Sequence, residues 1–357
     1  MPSHPRTSGP PGRGTQPWYT IPRLRPILLL GGLAFTLMIT WLAWLQNESR
    51  YVLATSAPPA ASDLGSTVFR FTVMSDVHVQ DFHLPSHQLF RNALEDAMRE
   101  TPDSRLLVLN GDSTNGDPTD YKRLKQLLAE QNHPPVAFTM GNHEYYKMWN
   151  WTYSKLTDHW SSGQAVKLFD SEFGYERPYH EEIVDGYPFL FLSGEAYRDV
   201  EPDVGEDAWL SDRQLDWLKE RLELYRASSG QPSERRKPIF VFLHQPLPGT
   251  TDGSSRELGV VQHEALRRLL TAYPDVFLFS GHTHWDAGTT QQVWRSGSFT
   301  AIGSGSVYDT LDRQDQSTGL SESLAVEVRT DAVVIRFREH TRRRWIGEPV
   351  VIPYGRR

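Results

Sequence analysis

The stretch Val276–Asp286, VFLFSGHTHWD, decides how the rest of the chain is read. It starts as an apolar, aromatic-rich run, the composition of a strand covered on both faces. Ser280 and Gly281 end the run, and His282 and His284 follow with one residue between them. On a regular strand, residues i and i+2 share a face. The pair therefore points first to two imidazoles gripping one ion. A single histidine after a strand is more often a satisfied polar residue than a ligand, so the rest of the chain must supply the context.

Four other apolar runs end in the same manner. FTVMSDVH leads to Asp76 and His78, and LLVLNGD to Asp112. VAFTMGNHE leads to Asn142, His143 and Glu144, and IFVFLHQ to His244. Of the 13 histidines, five stand at these positions. The remaining eight follow no such rule and read as solvated or structural, with His83 and His87 the nearest to an exception. The strand candidates are 68–74, 106–109, 136–140, 189–192, 239–243 and 276–279. They alternate with helical patterns over 89–100, 121–131, 213–227 and 264–272, which predicts an α/β fold. Ser211 and Gln214 at the start of the third helix have the spacing of a capping box. The C-terminal third (QQVWRSGSFTAI, LAVEVRT, AVVIRFRE) is β-rich and predicts a second, antiparallel sheet packed on the first. In open α/β sheets, sites form beyond the carboxyl ends of the strands. Five such loops would bring five histidines, two aspartates and one asparagine into one basin. Oxygen and imidazole donors without thiolate suit Mn, Fe, Zn or Co.

The composition narrows the choices. There are 37 Lys+Arg against 44 Asp+Glu, a net charge of -7. The first 26 residues hold four arginines and no acid, which leaves 33 basic against 44 acidic side chains in the remainder. An acidic body argues against a nucleic-acid binder, whose affinity comes from neutralised phosphates. The chain has no cysteine, so disulfides and thiol chemistry are excluded.

Residues 27–45, ILLLGGLAFTLMITWLAWL, carry no charge, and about 20 such residues span a bilayer as a helix. Arg6, Arg13, Arg23 and Arg25 precede them. The positive-inside rule then predicts a single-pass signal anchor, with a disordered basic cytoplasmic tail over 1–26 and a linker over 46–65. The catalytic body, 66–357, would lie outside the membrane. A cleaved signal peptide, giving a secreted protein, is the alternative.

The five blocks DVH, GDSTN, GNHE, HQP and GHTH, in this order, resemble the calcineurin-like metallophosphoesterases. The resemblance runs from Phe69 towards the C-terminus and implies a four-layer αββα sandwich around two metal ions. Carried over by position, it gives one ion to Asp76, His78 and His284 and the other to Asn142, His244 and His282. Asp112 would bridge them. His143 would face the substrate phosphate and its leaving oxygen, and Glu144 is the candidate to orient it. Hydrolysis would proceed by in-line attack of a hydroxide bridging the ions. Two divalent ions, two aspartates and one hydroxide leave about one positive charge for a phosphoryl anion.

Departures from the pattern remove two subfamilies. GDSTNGD lacks the arginine of the phosphoprotein phosphatases. Asn115 stands where purple acid phosphatases place a metal-binding tyrosine. A phosphomonoesterase or phosphodiesterase remains, with a phosphorylated small-molecule, nucleotide, lipid-linked or wall-linked substrate. A non-catalytic metal-binding scaffold of the same fold is the rival. Three segments stay open to two readings. The aromatics of 145–160 fit a substrate groove or an inserted helical segment. Arg336, Arg338, Arg342, Arg343 and Arg344 fit a polyanion contact or a solvated last strand. Glu201–Asp207, EPDVGED, reads as a solvated acidic loop.

Overall fold

The computed structural model describes residues 64–228, 236–256 and 259–355. The tail, the apolar run 27–45 and most of the linker lie outside them. Among the described residues, no helix is long and apolar enough to cross a membrane.

Two six-stranded mixed sheets form the body. The first contains β1 (Thr67–Met74), β2 (Ser104–Asn110) and β3 (Val136–Thr139), which run parallel. A minor hairpin, β4 (Trp149–Asn150) and β5 (Lys155–Leu156), stands apart. The second sheet holds β6 (His180–Val184), β7 (Tyr187–Phe191), β8 (Ile239–Phe242), β9 (Val276–Ser280), β10 (Val293–Arg295) and β11 (Thr300–Gly303). β7, β8, β9 and β11 are parallel in it, and β6 and β10 are antiparallel edges.

The C-terminal strands β12 (Glu322–Arg329), β13 (Ala332–Glu339) and β14 (Arg344–Pro353) correct the expected division. They do not make an independent sheet. β12 pairs antiparallel with β1, Val73 opposite Leu324, and β13 and β14 extend the first sheet from there. The six forecast strands divide three to each sheet. A period-2 pattern says which face a strand buries and leaves its edge partner unspecified, so the alternation alone does not give the pairing.

Strand alternation builds the core. Phe69, Phe71 and Val73 of β1 point between the sheets and meet Phe189, Phe240, Phe242, Phe277 and Phe279 from the other side. Phe71 sits edge-on to Phe189 at 4.9 Å and to Phe240 at 5.0 Å, the preferred geometry for ring pairs. The opposite faces of the sheets are covered by helices. α1 (Leu84–Glu100), α2 (Pro118–Ala129) and α3 (Ser162–Phe173) pack on the first sheet through Phe90, Leu94, Tyr121, Leu124 and Phe169. α4 (Asp212–Ser228) and α5 (His263–Thr271) pack on the second through Leu218, Leu222, Leu266 and Leu270. The result is an α/β sandwich, helices outside and two mixed sheets within.

Local signals account for the helix starts. Asp117 caps α2, its Oδ1 accepting the Thr119 amide at 2.9 Å, and Pro118 follows as the first helical residue, so α2 begins before the forecast Tyr121. Ser211 Oγ accepts the Gln214 amide at 3.1 Å. The return half of the box is not made. Gln214 instead bonds Ser193 on both its amide and its carbonyl, and Glu195 takes the Ser211 amide at 2.8 Å. The aromatic segment 145–160 forms a 3₁₀ turn and the β4–β5 hairpin, not an inserted helix. Arg338 is buried rather than solvated and forks onto Asp96 at 2.8 and 2.9 Å.

Candidate metal centre

Each of β1, β2, β3, β8 and β9 ends in one motif, so the parallel strands of both sheets deliver their loops to one end of the sandwich. The loops are tied to one another by backbone. The Asp76 amide donates to Gly111 O at 3.2 Å, His78 to Asp112 O at 2.9 Å, and Gly281 to His244 O at 2.8 Å. Turning out of a strand this sharply takes unusual backbone. Asp76, His78, Asp112, His282 and His284 have φ of 54°, 50°, 49°, 68° and 57°. Non-glycine residues in this left-handed region store strain and gather at functional sites. The motif glycines make room. A Cβ on Gly141 would strike Asp112, and one on Gly281 would strike Ser75 and Asp76.

Three groups of donors result, with ligand atoms within 4.8 Å of one another: Asp76, His78 and His284; His78, Asp112 and His143; and Asp112, His244 and His282. All five histidines and both aspartates of the sequence reading are thus brought together. Asn142 joins them through Oδ1, 3.0 Å from His282 Nδ1.

The donor chemistry tests whether metal ions fit. His244 Nδ1 lies 2.8 Å from Asn110 O, which only accepts, so Nδ1 carries hydrogen and Nε2 is turned inward. That Nε2 is wholly buried and faces Asp112 Oδ2 at 3.1 Å and Asp76 Oδ1 at 3.7 Å. His284 Nδ1 likewise meets Asp309 O at 2.9 Å, and its Nε2 faces Asp76 Oδ1 at 3.1 Å and His78 Nε2 at 3.2 Å. Imidazole nitrogens and carboxylate oxygens converge on shared points, an arrangement that cations between them would satisfy. The residues fit a pair of metal ions.

The titration behaviour tells the same story. Burial raises the Asp76 carboxyl, but His284 and His244 outweigh it and hold Asp76 well below the usual range. Burial also opposes ionisation of Asp112, and His244 and His143 reverse that effect. Burial disfavours a charged His244, yet Asp112 and Asp76 push it up to about 10. His78 is driven down to about 3 by burial and by His143. The two aspartates therefore favour positive charge beside His244 and His284, while His78 stays neutral.

Around this centre, the structure assigns contacts that sequence reasoning missed. Contrary to the expectation for Glu144, the residue that meets His143 is Asn115. His143 Nδ1 lies 3.0 Å from Asn115 Oδ1, and Tyr146 lies against the His143 ring at 3.9 Å between centroids. Glu144 instead takes backbone amides of the Asp112 loop. His83 and His87 stay outside the centre: His87 Nε2 bonds Gln80 O at 2.7 Å, and His83 stands beside Tyr308. The acidic loop 201–207 is not simply solvated. Asp207 is buried and accepts the Gly259 amide at 2.7 Å, and Glu206 reaches Asn142 at 3.0 Å. Nothing in its local pattern announces this, because the contact spans 64 residues.

Residues 69–286 match the family model for calcineurin-like phosphoesterases. No curated protein matches the chain. The fold is similar to that of a dimetal phosphatase from Danio rerio, 17% identical, TM-score 0.56, covering 81% of this chain and 100% of that one. It is also similar to a purple acid phosphatase from yellow lupin (Lupinus luteus) seeds, 12% identical, TM-score 0.54, covering 81% of this chain and 54% of that one. With the family model spanning more than half its length, the chain belongs to the calcineurin-like phosphoesterases.

Proposed function

We propose that the chain hydrolyses phosphoesters with two metal ions. Asp76, His78 and His284 hold one, Asn142, His244 and His282 the other, and Asp112 is shared. The observation that carries this reading is the convergence of three donor groups on one basin, with the inward Nε2 of His244 3.1 Å from Asp112 Oδ2 and 3.7 Å from Asp76 Oδ1. When bound, such ions supply a water-derived nucleophile at neutral pH and positive charge for the phosphoryl oxygens.

The chain's own groups do the remainder. Asp76 and Asp112 stay ionised at every working pH and fix the charge of the basin. His143 sits at the open side, with 26% of its side chain exposed. With Nδ1 directed to Asn115, its Nε2 is the atom available to the leaving oxygen. Burial lowers the pKa of His143 despite Asp112, so the ring is neutral in the free site and gains its proton when a phosphate anion arrives beside it. It then delivers that proton to the departing alkoxide.

An apolar leaving group suits the surroundings. Among the described residues, the four most exposed large apolar side chains are Phe82 (81%), Leu84 (73%), Tyr153 (70%) and Trp151 (65%). Both segments follow motif loops, and Trp151 connects to the centre through Tyr146 and His143. This favours a phosphoester carrying a lipid or similar chain. The apolar run 27–45 supports a matching location, with the body anchored outside the membrane. Metal analysis with hydrolysis of soluble mono- and diesters tests the reading. Fewer than one bound metal ion together with no cleavage of either ester would end it. Protease added to intact cells tests the topology, and a protected body would reverse the proposed orientation.

A further inference from the structure

We infer that Glu206 is a positioning residue that locks the amide of Asn142 with its oxygen towards the second metal ion. The inference rests on the two-metal reading above.

An asparagine amide has two ends of similar shape and opposite polarity, and its neighbours decide which way it points. Asn142 Nδ2 lies 3.0 Å from Glu206 Oε2 and 3.3 Å from the Tyr146 hydroxyl. Its Oδ1 consequently faces the centre, 3.0 Å from His282 Nδ1. Flipping the amide would set its carbonyl oxygen against the Glu206 carboxylate and turn an NH₂ group towards the site of a cation. Both contacts would be repulsive.

Glu206 can impose this orientation because it is itself held. Besides Asn142, it accepts the Tyr146 hydroxyl at 3.2 Å, the Tyr197 hydroxyl at 2.8 Å and Arg198 Nη2 at 2.9 Å. Arg198 in turn lies over the Trp149 ring at 5.4 Å. Arg198 also balances the charge of Glu206, so the carboxylate acts here as an oriented acceptor. Partners that orient a metal ligand in this manner typically contribute 10–100-fold to metal affinity.

The test is Mn²⁺ titration of the full chain in detergent, with stoichiometry and affinity read by electron paramagnetic resonance. Exchange-coupled signals report two ions and uncoupled signals report one. Glu206→Ala should weaken the second ion by about 10–100-fold and leave the first in place. In the Asn142→Asp background, the ligand has two equivalent oxygens and nothing to orient. Removing Glu206 there should cause no loss, and relief of repulsion between two carboxylates should strengthen binding. Equal loss in both backgrounds, or loss in neither, overturns the inference. Glu206→Met, which keeps the length of the side chain and offers no acceptor oxygen, replaces the alanine variant if that fails to fold; second-ion affinity equal to that of the parent then overturns it. An unsubstituted chain that binds no Mn²⁺ would instead refute the two-metal reading itself.

Discussion

Glu144 and Asp112 are joined through backbone: the Glu144 carboxylate accepts the Asp112 amide at 3.0 Å. The same oxygen takes the Gly141 amide at 2.7 Å, and the other oxygen takes Ser113 and Thr114 at 2.9 and 3.0 Å. One buried acid thus clamps the β2 and β3 loops, which carry Asp112 and Asn142. Glu144→Gln keeps the volume but offers one acceptor oxygen in place of two, and its NH₂ group then opposes two amides. Each orphaned amide costs about 1–3 kcal/mol. Urea unfolding of the metal-free variant should show at least that loss, and unchanged stability would refute the clamp.

Asp112→Asn and His143→Ala separate metal holding from proton transfer. Asp112 belongs to two donor groups that would otherwise share nothing. Its neutralisation removes half of the negative charge supplied by Asp76 and Asp112, so metal content should fall below two ions per chain. His143→Ala should retain both ions and lower kcat by about 10²–10⁴-fold, the usual worth of a positioned acid. Elemental analysis beside turnover distinguishes them. A variant at Asp112 that keeps two ions contradicts the bridging assignment.

The sequence made the inner ring legible because each part of it is local. An apolar run and a ligand lie within a few residues in every block, with a glycine directly before Asp112, Asn142 and His282. What lay beyond reading depends on approach through space. Glu206 meets Asn142 across 64 residues. β12 finds the free edge of β1, although its alternation would serve any edge. Asn115 is intermediate: it stands three residues beyond Asp112, but only the fold shows that it faces His143.

Asp96, His340 and Ser323 form a line with the look of a hydrolase triad. His340 Nδ1 lies 2.9 Å from Asp96 and Nε2 lies 2.8 Å from Ser323 Oγ. Ser323 is 1% exposed, however, and Arg338 occupies the same carboxylate. No substrate reaches this serine, so Ser323→Ala should leave hydrolysis unchanged. The network instead ties α1 to β12 and β13. Asp96→Ala leaves the buried Arg338 with Glu100 alone, at 3.2 Å, and removes the partner of His340 Nδ1; it should cost about 1–3 kcal/mol in denaturant unfolding. Loss of turnover in a folded Ser323 variant would refute the structural assignment.

Glu322 should make the fold sensitive to alkali. Its carboxyl is fully buried, with Oε1 lacking a partner and Oε2 accepting the Ala287 amide at 3.0 Å. Burial, assisted by Asp286, pushes it up to about 9 from its ordinary 4.5. The folded chain then holds a proton that the unfolded chain releases above its ordinary value. The stabilisation is complete below about pH 4.5 and is lost as pH rises through the folded value near 9. Within that window, one retained proton gives a slope of about -1.4 kcal/mol per pH unit. Glu322→Gln is neutral throughout and removes this term, so the stability difference between parent and variant should shift towards the variant as pH rises from 5 to about 8.5. Urea unfolding at several pH values reads that difference directly. If the two proteins lose stability in parallel, Glu322 does not carry the proton in the folded chain.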